Sequence, residues 1–162
     1  NYQTLLNEAK RIIKISKQYL GMDTTEDIME DMTSVVKDEA ILVIDDSNLV
    51  ANFIKKIFDN KYDVYIANDG AKAIEIINGG NADRIKCCLL DLNMPNVNGF
   101  EVLDYFQKNN LFYKMPVSII TGNDTADSVK NVFNYPIVDL LTKPFNERDI
   151  RRIIEKTLNY YK

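Results

Sequence analysis

Four predominantly apolar runs, each ending in a polar residue, most constrain how this chain can fold. The runs lead into Asp45, Asp91, Thr121 and Lys143. Short apolar runs bounded by polar loops are typical of strands buried on both faces, as in parallel sheets. In open α/β sheets, ligands bind outside the carboxyl ends of such strands. The pattern therefore predicts a buried parallel sheet whose polar residues meet at one edge.

Helical patterns separate the strand-like runs along the rest of the chain. Five strand–helix units in series favour an α/β fold, doubly wound, with a parallel sheet and helices on both faces. The predicted strands cover residues 40–45, 62–67, 84–90, 116–121 and 137–142, and the predicted helices cover 47–60, 71–78, 99–109, 125–133 and 146–160. In the first of these helices, the side chains predicted to point inward are Leu49, Val50, Phe53, Ile54, Ile57 and Phe58.

Residues 1–38 differ in character, and we predict a helical extension or linker before a domain at 39–162. Apolar residues from Tyr2 to Leu20 recur at three- and four-residue steps and form one stripe. Gly21 is a helix stop signal, and residues 23–25 can cap a second helix with an apolar face of its own. The segment is predicted to be a helical hairpin, which is either a structural extension or a dimer-forming bundle.

The composition argues against several classes of function. A net charge of −4 without a basic stripe argues against nucleic-acid binding by this domain. Its apolar stretches fall far short of the roughly 20 residues that span a bilayer, and no secretory leader is expected. The chain has no histidine, which excludes His-based triads and His-ligated zinc. Cys87 and Cys88 are interpreted as core residues in a reducing compartment. Because the chain begins at Asn1, we expect a fragment of a longer protein.

Charged and hydroxyl side chains are predicted to converge at the strand ends. Three carboxylates bring three negative charges together, and one lysine compensates one of them. Crowded carboxylates oppose one another's ionisation, and one Mg²⁺ would restore formal neutrality. Mg²⁺ takes oxygen ligands, commonly one or two carboxylates and a phosphate oxygen. The predicted roles are metal ligands for Asp45, Asp46 and Asp91, a nucleophile for Asp91, a hydroxyl donor for Thr121, a positive charge for Lys143, and open space for a phosphoryl group at Gly122.

These motifs together resemble a known family. In chain order they are Asp45-Asp46, then Leu89-Leu90-Asp91-Leu92-Asn93-Met94-Pro95 with Gly99, then Thr121-Gly122, and finally Lys143-Pro144-Phe145. They are similar to those of the receiver domain of two-component response regulators, over roughly residues 38–162. The resemblance implies a five-stranded sheet in the flavodoxin-like order 2-1-3-4-5. It also implies a cis peptide bond between Lys143 and Pro144.

The same resemblance implies a function. Asp91 would accept phosphate from the phosphohistidine of a sensor histidine kinase or a histidine phosphotransfer protein, in the cytoplasm. Mg²⁺ would be bound by Asp45, Asp46, Asp91 and the backbone carbonyl of Asn93. The domain would catalyse only its own phosphorylation and dephosphorylation, with Asn93 and Asn123 tuning the lifetime of the phosphoryl group. We expect any homodimer to form through the N-terminal helices or through the face made by residues 125–133, 137–142 and 146–160.

One position departs from the family pattern. Receivers usually carry Tyr, Phe or His three residues before the lysine, and here that residue is Leu140. Reversing a 1:99 equilibrium needs about 5.5 kcal/mol, whereas one hydrogen bond to a charged group contributes roughly 1.5–3 kcal/mol. The Thr121 contact alone is therefore too weak, and we predict a partial switch or one transmitted through the helical hairpin.

Two other functions compete with the phosphoacceptor. One is a receiver-like protein-interaction module that works without phosphorylation; such modules usually lack one of the acids, the threonine or the lysine, and this chain has them all. The other is a magnesium phosphohydrolase, which typically places Asp-x-Asp after the first strand, a spacing that Asp45-Asp46-Ser47 lacks. A flavin carrier of the same fold does not compete with them, because it would want a hydroxyl- and glycine-rich loop after that strand, and residues 47–51 form a poor one.

Overall fold

The computed structural model describes residues 2–20, 37–92, 94, 98–122 and 126–162, with the backbone alone at 13–20, 81 and 126–128. The chain divides into two compact units, Asn1–Asp38 and Glu39–Lys162. The first unit contains helix α1, Tyr2–Leu20, which matches the first predicted helix. The second predicted helix, with its cap, lies outside the described residues. Among the described helices, none is both long and apolar enough to cross a bilayer.

The second unit is built on a parallel sheet. Its described residues form five strands, and the order across the sheet is β2-β1-β3-β4-β5. The strands are β1 Ala40–Ile44, β2 Asp63–Ala67, β3 Ile85–Asp91, β4 Val117–Thr121 and β5 Leu140–Thr142. Every neighbouring pair is parallel, so the predicted fold class and strand order are confirmed. β5 is shorter than predicted, although Val138 N still donates to Val117 O at 2.8 Å.

Helices follow the strands, and polar side chains begin most of them. The helices are α2 Asn48–Phe58, α3 Gly70–Ile76, α4 Gly99–Lys108, α5 Ala126–Val132 and α6 Glu147–Asn159. The N-cap side chains of α2, α3, α4 and α6 each accept a backbone N–H from the third residue of the helix, which satisfies a donor that the helix itself cannot. α3 continues into a π-helical turn at Ile77–Asn81, where Gly80 has a φ of 90°. The predicted end of this helix, at residue 78, therefore falls within this turn.

Alternate residues along the strands belong to two separate apolar layers, one on each face of the sheet. Leu42, Ile44, Cys88 and Leu90 pack on the face covered by α3, α4 and α5. Ile41, Val43, Cys87 and Leu89 pack on the face covered by α2 and α6. Adjacent Cys87 and Cys88 thus point to opposite faces as fully buried free thiols, and burial raises the pKa of each. The doubly wound arrangement places helices on both faces and leaves the carboxyl edge of the sheet open.

The predicted inward face of α2 is partly wrong. Ile54, Ile57 and Phe58 are buried, as expected, but Leu49 is 84% exposed and Phe53 is 39% exposed. Both side chains belong to the amino-terminal half of α2, beside the Pro144-Phe145 segment. The apolar pattern of α2 is therefore wider than the part of the helix that packs on the core, and Leu49 and Phe53 lie outside that core layer.

Candidate phosphoacceptor and metal site

Three aspartates meet at the carboxyl edge of the sheet, as predicted. Asp45 and Asp46 follow β1, and Asp91 is the last residue of β3. One carboxylate oxygen from each lies within 4.8 Å of the others. Asp45 and Asp91 are buried, whereas Asp46 is exposed. Two buried acids and one at the surface form a concave set of oxygen ligands that is accessible from one side.

Lys143 lies between the two buried acids. Its Nζ is 3.3 Å from Asp45 Oδ2 and 3.3 Å from Asp91 Oδ2. Burial lowers the pKa of Lys143, but the attraction of Asp45 and then Asp91 outweighs burial, and the pKa is raised above its usual value. Lys143 is therefore a permanent cation at neutral pH. Three carboxylates and one ammonium leave two net negative charges, which one divalent cation would balance.

The two carboxylate oxygens of Asp45 differ in their hydrogen bonding. Asp45 Oδ1 accepts a hydrogen bond from Ser47 N at 2.8 Å. Asp45 Oδ2 is buried and, among the described residues, has no hydrogen-bond partner of good geometry, although Lys143 Nζ is nearby. Buried carboxylate oxygens are normally satisfied, so an oxygen of this kind beside two other carboxylates fits a metal ligand. The bond to Ser47 N, which sequence reasoning missed, fixes the direction of this oxygen.

Thr121 supplies the hydroxyl that the sequence predicted. It ends β4, is 2% exposed, and its carbonyl accepts a hydrogen bond from Lys143 N at 2.7 Å. Thr121 Oγ1 is buried and lacks a hydrogen-bond partner among the residues that the structure describes. A buried hydroxyl without a partner is costly, and this one lies on the strand next to Asp91. It is placed to donate to a group that arrives from outside.

Gly122 was predicted to leave open space for a phosphoryl group, but the structure shows a much tighter steric constraint at Gly99. A Cβ atom at Gly122 would meet Lys143 Cδ at 3.8 Å, an ordinary contact. At Gly99, by contrast, a Cβ atom would lie 2.7 Å from Leu92 Cα and 2.9 Å from Asp91 O. The start of α4 is therefore packed directly against the backbone of the candidate nucleophile. The sequence marked Gly99 only as part of a motif, because a close approach of backbones leaves no local signal.

The remaining predictions about the site have different outcomes. The Lys143–Pro144 bond is cis, as the resemblance implied. Ser47 is the N-cap of α2. Asn93 and Asn123, predicted as a metal ligand and as tuning residues, lie outside the described residues. Leu140 is half-buried and packs against the core layer beneath α3, α4 and α5.

An exposed apolar surface borders Lys143, and sequence reasoning missed it. It is a surface cavity of about 490 Å³ lined by Leu49, Val50, Phe53, Lys143, Pro144 and Phe145. The rings of Phe53 and Phe145 lie 6.4 Å apart between centroids. The surface, here called the α2 rim, belongs to the two segments that follow β1 and β5. The sequence does not reveal it, because its three α2 residues continue the ordinary apolar pattern of that helix and its other three follow β5.

The fold and the site together define a class of protein: a flavodoxin-like α/β domain with an acidic cluster and a lysine at the carboxyl edge of its sheet. The chain matches the response regulator receiver domain over residues 41–155. This chain belongs to the response regulator receiver domain family.

Individual relatives agree with this assignment. The chain is 34% identical over 112 residues to the response regulator ArlR of Staphylococcus saprophyticus, covering 68% of this chain and 48% of ArlR. It is 26% identical over 127 residues to the probable methanogenesis regulatory protein FilR2 of Methanothrix harundinacea, covering 75% of this chain and 82% of FilR2. The Francisella response regulator 1452 receiver domain has a similar structure, with a TM-score of 0.62, 31% identity, and coverage of 76% of this chain and 96% of that one. The chain thus spans about half the length of ArlR but most of FilR2.

Proposed function

We propose that this receiver domain accepts a phosphoryl group on Asp91 from the phosphohistidine of a sensor histidine kinase or a histidine phosphotransfer protein. The observation that carries the proposal is the placement of Asp91, buried at the end of β3 with Lys143 Nζ at 3.3 Å and two further carboxylates alongside. A surface carboxylate has no such surroundings. The set matches the parts that phosphoryl transfer needs, namely a nucleophile, a cation site and a fixed positive charge.

The residues present fit a magnesium ion. Asp45, Asp46 and Asp91 would hold it, because their oxygens are clustered within 4.8 Å and Asp45 Oδ2 has no satisfying hydrogen bond among the described residues. The cluster also keeps two net negative charges after Lys143 is counted. When bound, Mg²⁺ would neutralise charge on the phosphoryl oxygens. Asn93, as the resemblance implies, would add its carbonyl.

The reaction is a simple transfer between two nucleophiles. A carboxylate oxygen of Asp91 attacks phosphorus, the new P–O bond forms, and the P–N bond breaks with its electron pair returning to the imidazole, which takes up a proton. Lys143 holds a positive charge beside the incoming oxygens, and Thr121 Oγ1 donates a hydrogen bond to one of them. Attack of water on the aspartyl phosphate later releases inorganic phosphate and restores the carboxylate. No external substrate is turned over, so we infer that the domain is not an enzyme in the usual sense.

The α2 rim supports a macromolecular donor. Leu49 and Phe53 are exposed apolar side chains directly beside Lys143, and an apolar patch at the mouth of a charged site suits a protein surface more than a small anion. The donor must bring its imidazole to Asp91, and the rim includes Lys143, whose Nζ is 3.3 Å from Asp91 Oδ2. Because such donors draw on ATP inside the cell, we infer a cytoplasmic location. A homodimer, and the expected lack of nucleic-acid binding, stay predictions.

The proposal is tested by phosphorylating the purified chain with acetyl phosphate and Mg²⁺ and measuring its intact mass. We expect a single phosphoryl increment in the wild-type chain. It should not form when Mg²⁺ is chelated beforehand, and it should be absent from Asp91→Ala. Asp83→Asn is the matched control, because Asp83 is an exposed aspartate in an ion pair with Lys114, outside the acidic cluster. A phosphoryl increment that persists in Asp91→Ala would contradict the assignment of Asp91. An unmodified wild-type chain would favour the phosphorylation-independent module instead.

A further inference from the structure

Two helices follow the strands that carry Asp91 and Thr121. α4 begins at Gly99, whose Cα is packed against the backbone of Asp91 and Leu92. α5 begins five residues after Thr121. Since Thr121 Oγ1 is buried without a hydrogen-bond partner among the described residues, a phosphoryl oxygen on Asp91 would draw it closer. A displacement of Thr121 would be passed on to the start of α5, because only four residues separate the two along the chain.

Tyr135 joins these two helices at their exposed side. It follows α5 by a short turn, with Tyr135 N donating to Val132 O at 3.2 Å. Its ring lies 6.5 Å from that of Phe100 and 6.3 Å from that of Phe112 between centroids. Its hydroxyl donates a hydrogen bond to Asp104 of α4. Tyr135 is thus anchored to α5 through its backbone and to α4 through its side chain.

The protonation state of Tyr135 keeps its hydrogen bond to Asp104 formed in the unphosphorylated domain. The hydrogen bond to Asp104 raises the pKa of Tyr135 to about 12, with burial adding to the shift. The hydroxyl therefore stays protonated and remains a donor throughout the physiological range. Its acceptor is an ionised carboxylate, and such charge-assisted hydrogen bonds are stronger than neutral ones. The contact has the strength to bias two arrangements of the helices.

The surroundings also allow the contact to break. A surface cavity of about 520 Å³ lies beside the ring, lined by Phe100, Gln107, Asn131, Asn134 and Tyr135. Tyr135 is only half-buried, so the ring has space to turn without displacing the core. Hydrogen bonds fail beyond about 3.5 Å, so a shift of α5 by about an ångström is enough to open this one. Leu140, at the end of the same connection, has no polar side-chain group for such a contact.

We propose that the Tyr135–Asp104 hydrogen bond is a latch that holds the end of α5 against α4 in the unphosphorylated domain and opens when Asp91 carries a phosphoryl group. The proposal rests on the proposed function, because it needs Asp91 to be the phosphoacceptor. It assigns to Tyr135 a part in switching that the aliphatic side chain of Leu140 cannot perform. The latch stabilises the resting arrangement, so removing it favours the phosphorylated one.

The test compares the binding of beryllofluoride, a phosphoryl analogue, in the presence of Mg²⁺ by NMR titration of the full chain. Tyr135→Phe keeps the ring and removes the hydroxyl, and we expect it to bind the analogue about tenfold more tightly than wild type, as the loss of one charge-assisted bond from the resting state alone predicts. Asp104→Ala should have the same effect, and the double variant should add nothing further. Asp104→Asn keeps an acceptor oxygen but loses the charge, so its affinity should fall between those of wild type and Asp104→Ala.

Tyr105→Phe is the matched control. Tyr105 lies on the same helix and also donates its hydroxyl, but to Asn78 Oδ1 at 2.8 Å, in the turn that continues α3. Removal of the Tyr105 hydroxyl should leave the affinity for beryllofluoride unchanged. In wild type labelled on its tyrosine rings, the Tyr135 signal should move on analogue binding to its position in Asp104→Ala. The comparison with Asp104→Ala is needed because the signal also responds to the neighbouring rings of Phe100 and Phe112.

The outcomes separate the latch from the function on which it rests. Tighter binding by Tyr135→Phe but not by Tyr105→Phe supports the latch. Equal or weaker binding by Tyr135→Phe, with wild type still binding the analogue, overturns the latch and leaves the proposed function intact. A Tyr135 signal that does not move on binding also overturns the latch. Failure of wild type to bind the analogue overturns the proposed function and the latch together.

Discussion

At the scale of single residues, the balance between buried carboxylates and one lysine dominates the site. Asp45 and Asp91 lose their water on folding, and Lys143 is the cation that the described residues place against both. The pKa of Lys143 is raised in the folded protein, so its stabilising contribution is complete at neutral pH. That contribution is lost only when the pH rises through the raised pKa, in the alkaline range. Loss of stability on mild acidification would therefore not come from Lys143.

Replacing Lys143 by Met should destabilise the domain and make it depend on Mg²⁺. The change leaves two buried carboxylates without their cation, and we expect the free energy of unfolding to fall by about 1–3 kcal/mol in the absence of metal. Mg²⁺ should then raise the Tm of the variant more than that of wild type. Urea unfolding with and without Mg²⁺ measures both effects.

Lys156→Met is the control for this comparison. Lys156 pairs with Asp139 at 3.2 Å, but both side chains are about half exposed. Exposed ion pairs contribute only about 0–1 kcal/mol, so this variant should unfold nearly as wild type does. Equal losses in the two lysine variants would mean that burial of the Asp45–Lys143–Asp91 group has no special effect.

At the scale of elements, the junction between β3 and α4 connects the nucleophile to the rest of the fold. Leu92 N donates to Ile120 O at 3.3 Å, and Asn98 caps α4 by accepting from Glu101 N at 3.1 Å. Gly99 then brings the first turn of α4 onto the Asp91–Leu92 backbone. The nucleophile is therefore held by an element boundary, and its position depends on how closely α4 can approach.

Gly99→Ala should damage both stability and phosphorylation. Its Cβ atom would lie 2.7 Å from a backbone atom, which cannot move aside as a side chain can. We expect a loss of about 1–3 kcal/mol in the free energy of unfolding, typical of overpacking, and slower phosphorylation by acetyl phosphate. Gly79→Ala is the control, since a Cβ atom there meets nothing within 4 Å. A Gly99→Ala variant as stable as Gly79→Ala would contradict the close approach.

At the scale of the whole domain, the apolar α2 rim and the acidic site open beside each other. Leu49 is 84% exposed, which is unusual for a leucine in a helix that otherwise packs on the core. Leu49→Ala should therefore slow phosphorylation by a phosphorylated histidine phosphotransfer protein by about tenfold, as for one moderately important interface residue, and leave phosphorylation by acetyl phosphate unchanged. Radiolabel transfer over time measures both rates.

Tyr113→Ala is the matched control for the rim, because Tyr113 is also a large exposed side chain, 71% accessible, but contacts Tyr161 and not the rim. It should not alter transfer from the protein donor. If Leu49→Ala slowed both donors equally, the rim would act on the site itself and not on docking.

The strand ends were predictable because their signal is local. A buried strand needs a continuous apolar run, and the next polar residue marks where it leaves the core, so Asp45, Asp91 and Thr121 could be placed at one edge from sequence alone. The inward face of α2 was not predictable to the same degree. Periodicity identifies an apolar stripe, but how far the sheet extends beneath Leu49 depends on residues distant in sequence.

The sequence by itself determined the five strand–helix units, the end of the sheet at which the charged residues gather, and the receiver family. Those properties follow from the order of apolar and polar residues along the chain. Only the tertiary structure decided that Gly99 touches the Asp91 backbone, that Leu49 and Phe53 face outward, and that Tyr135 reaches Asp104. These properties depend on how whole helices pack on the sheet and on one another, which the local order of apolar and polar residues does not set.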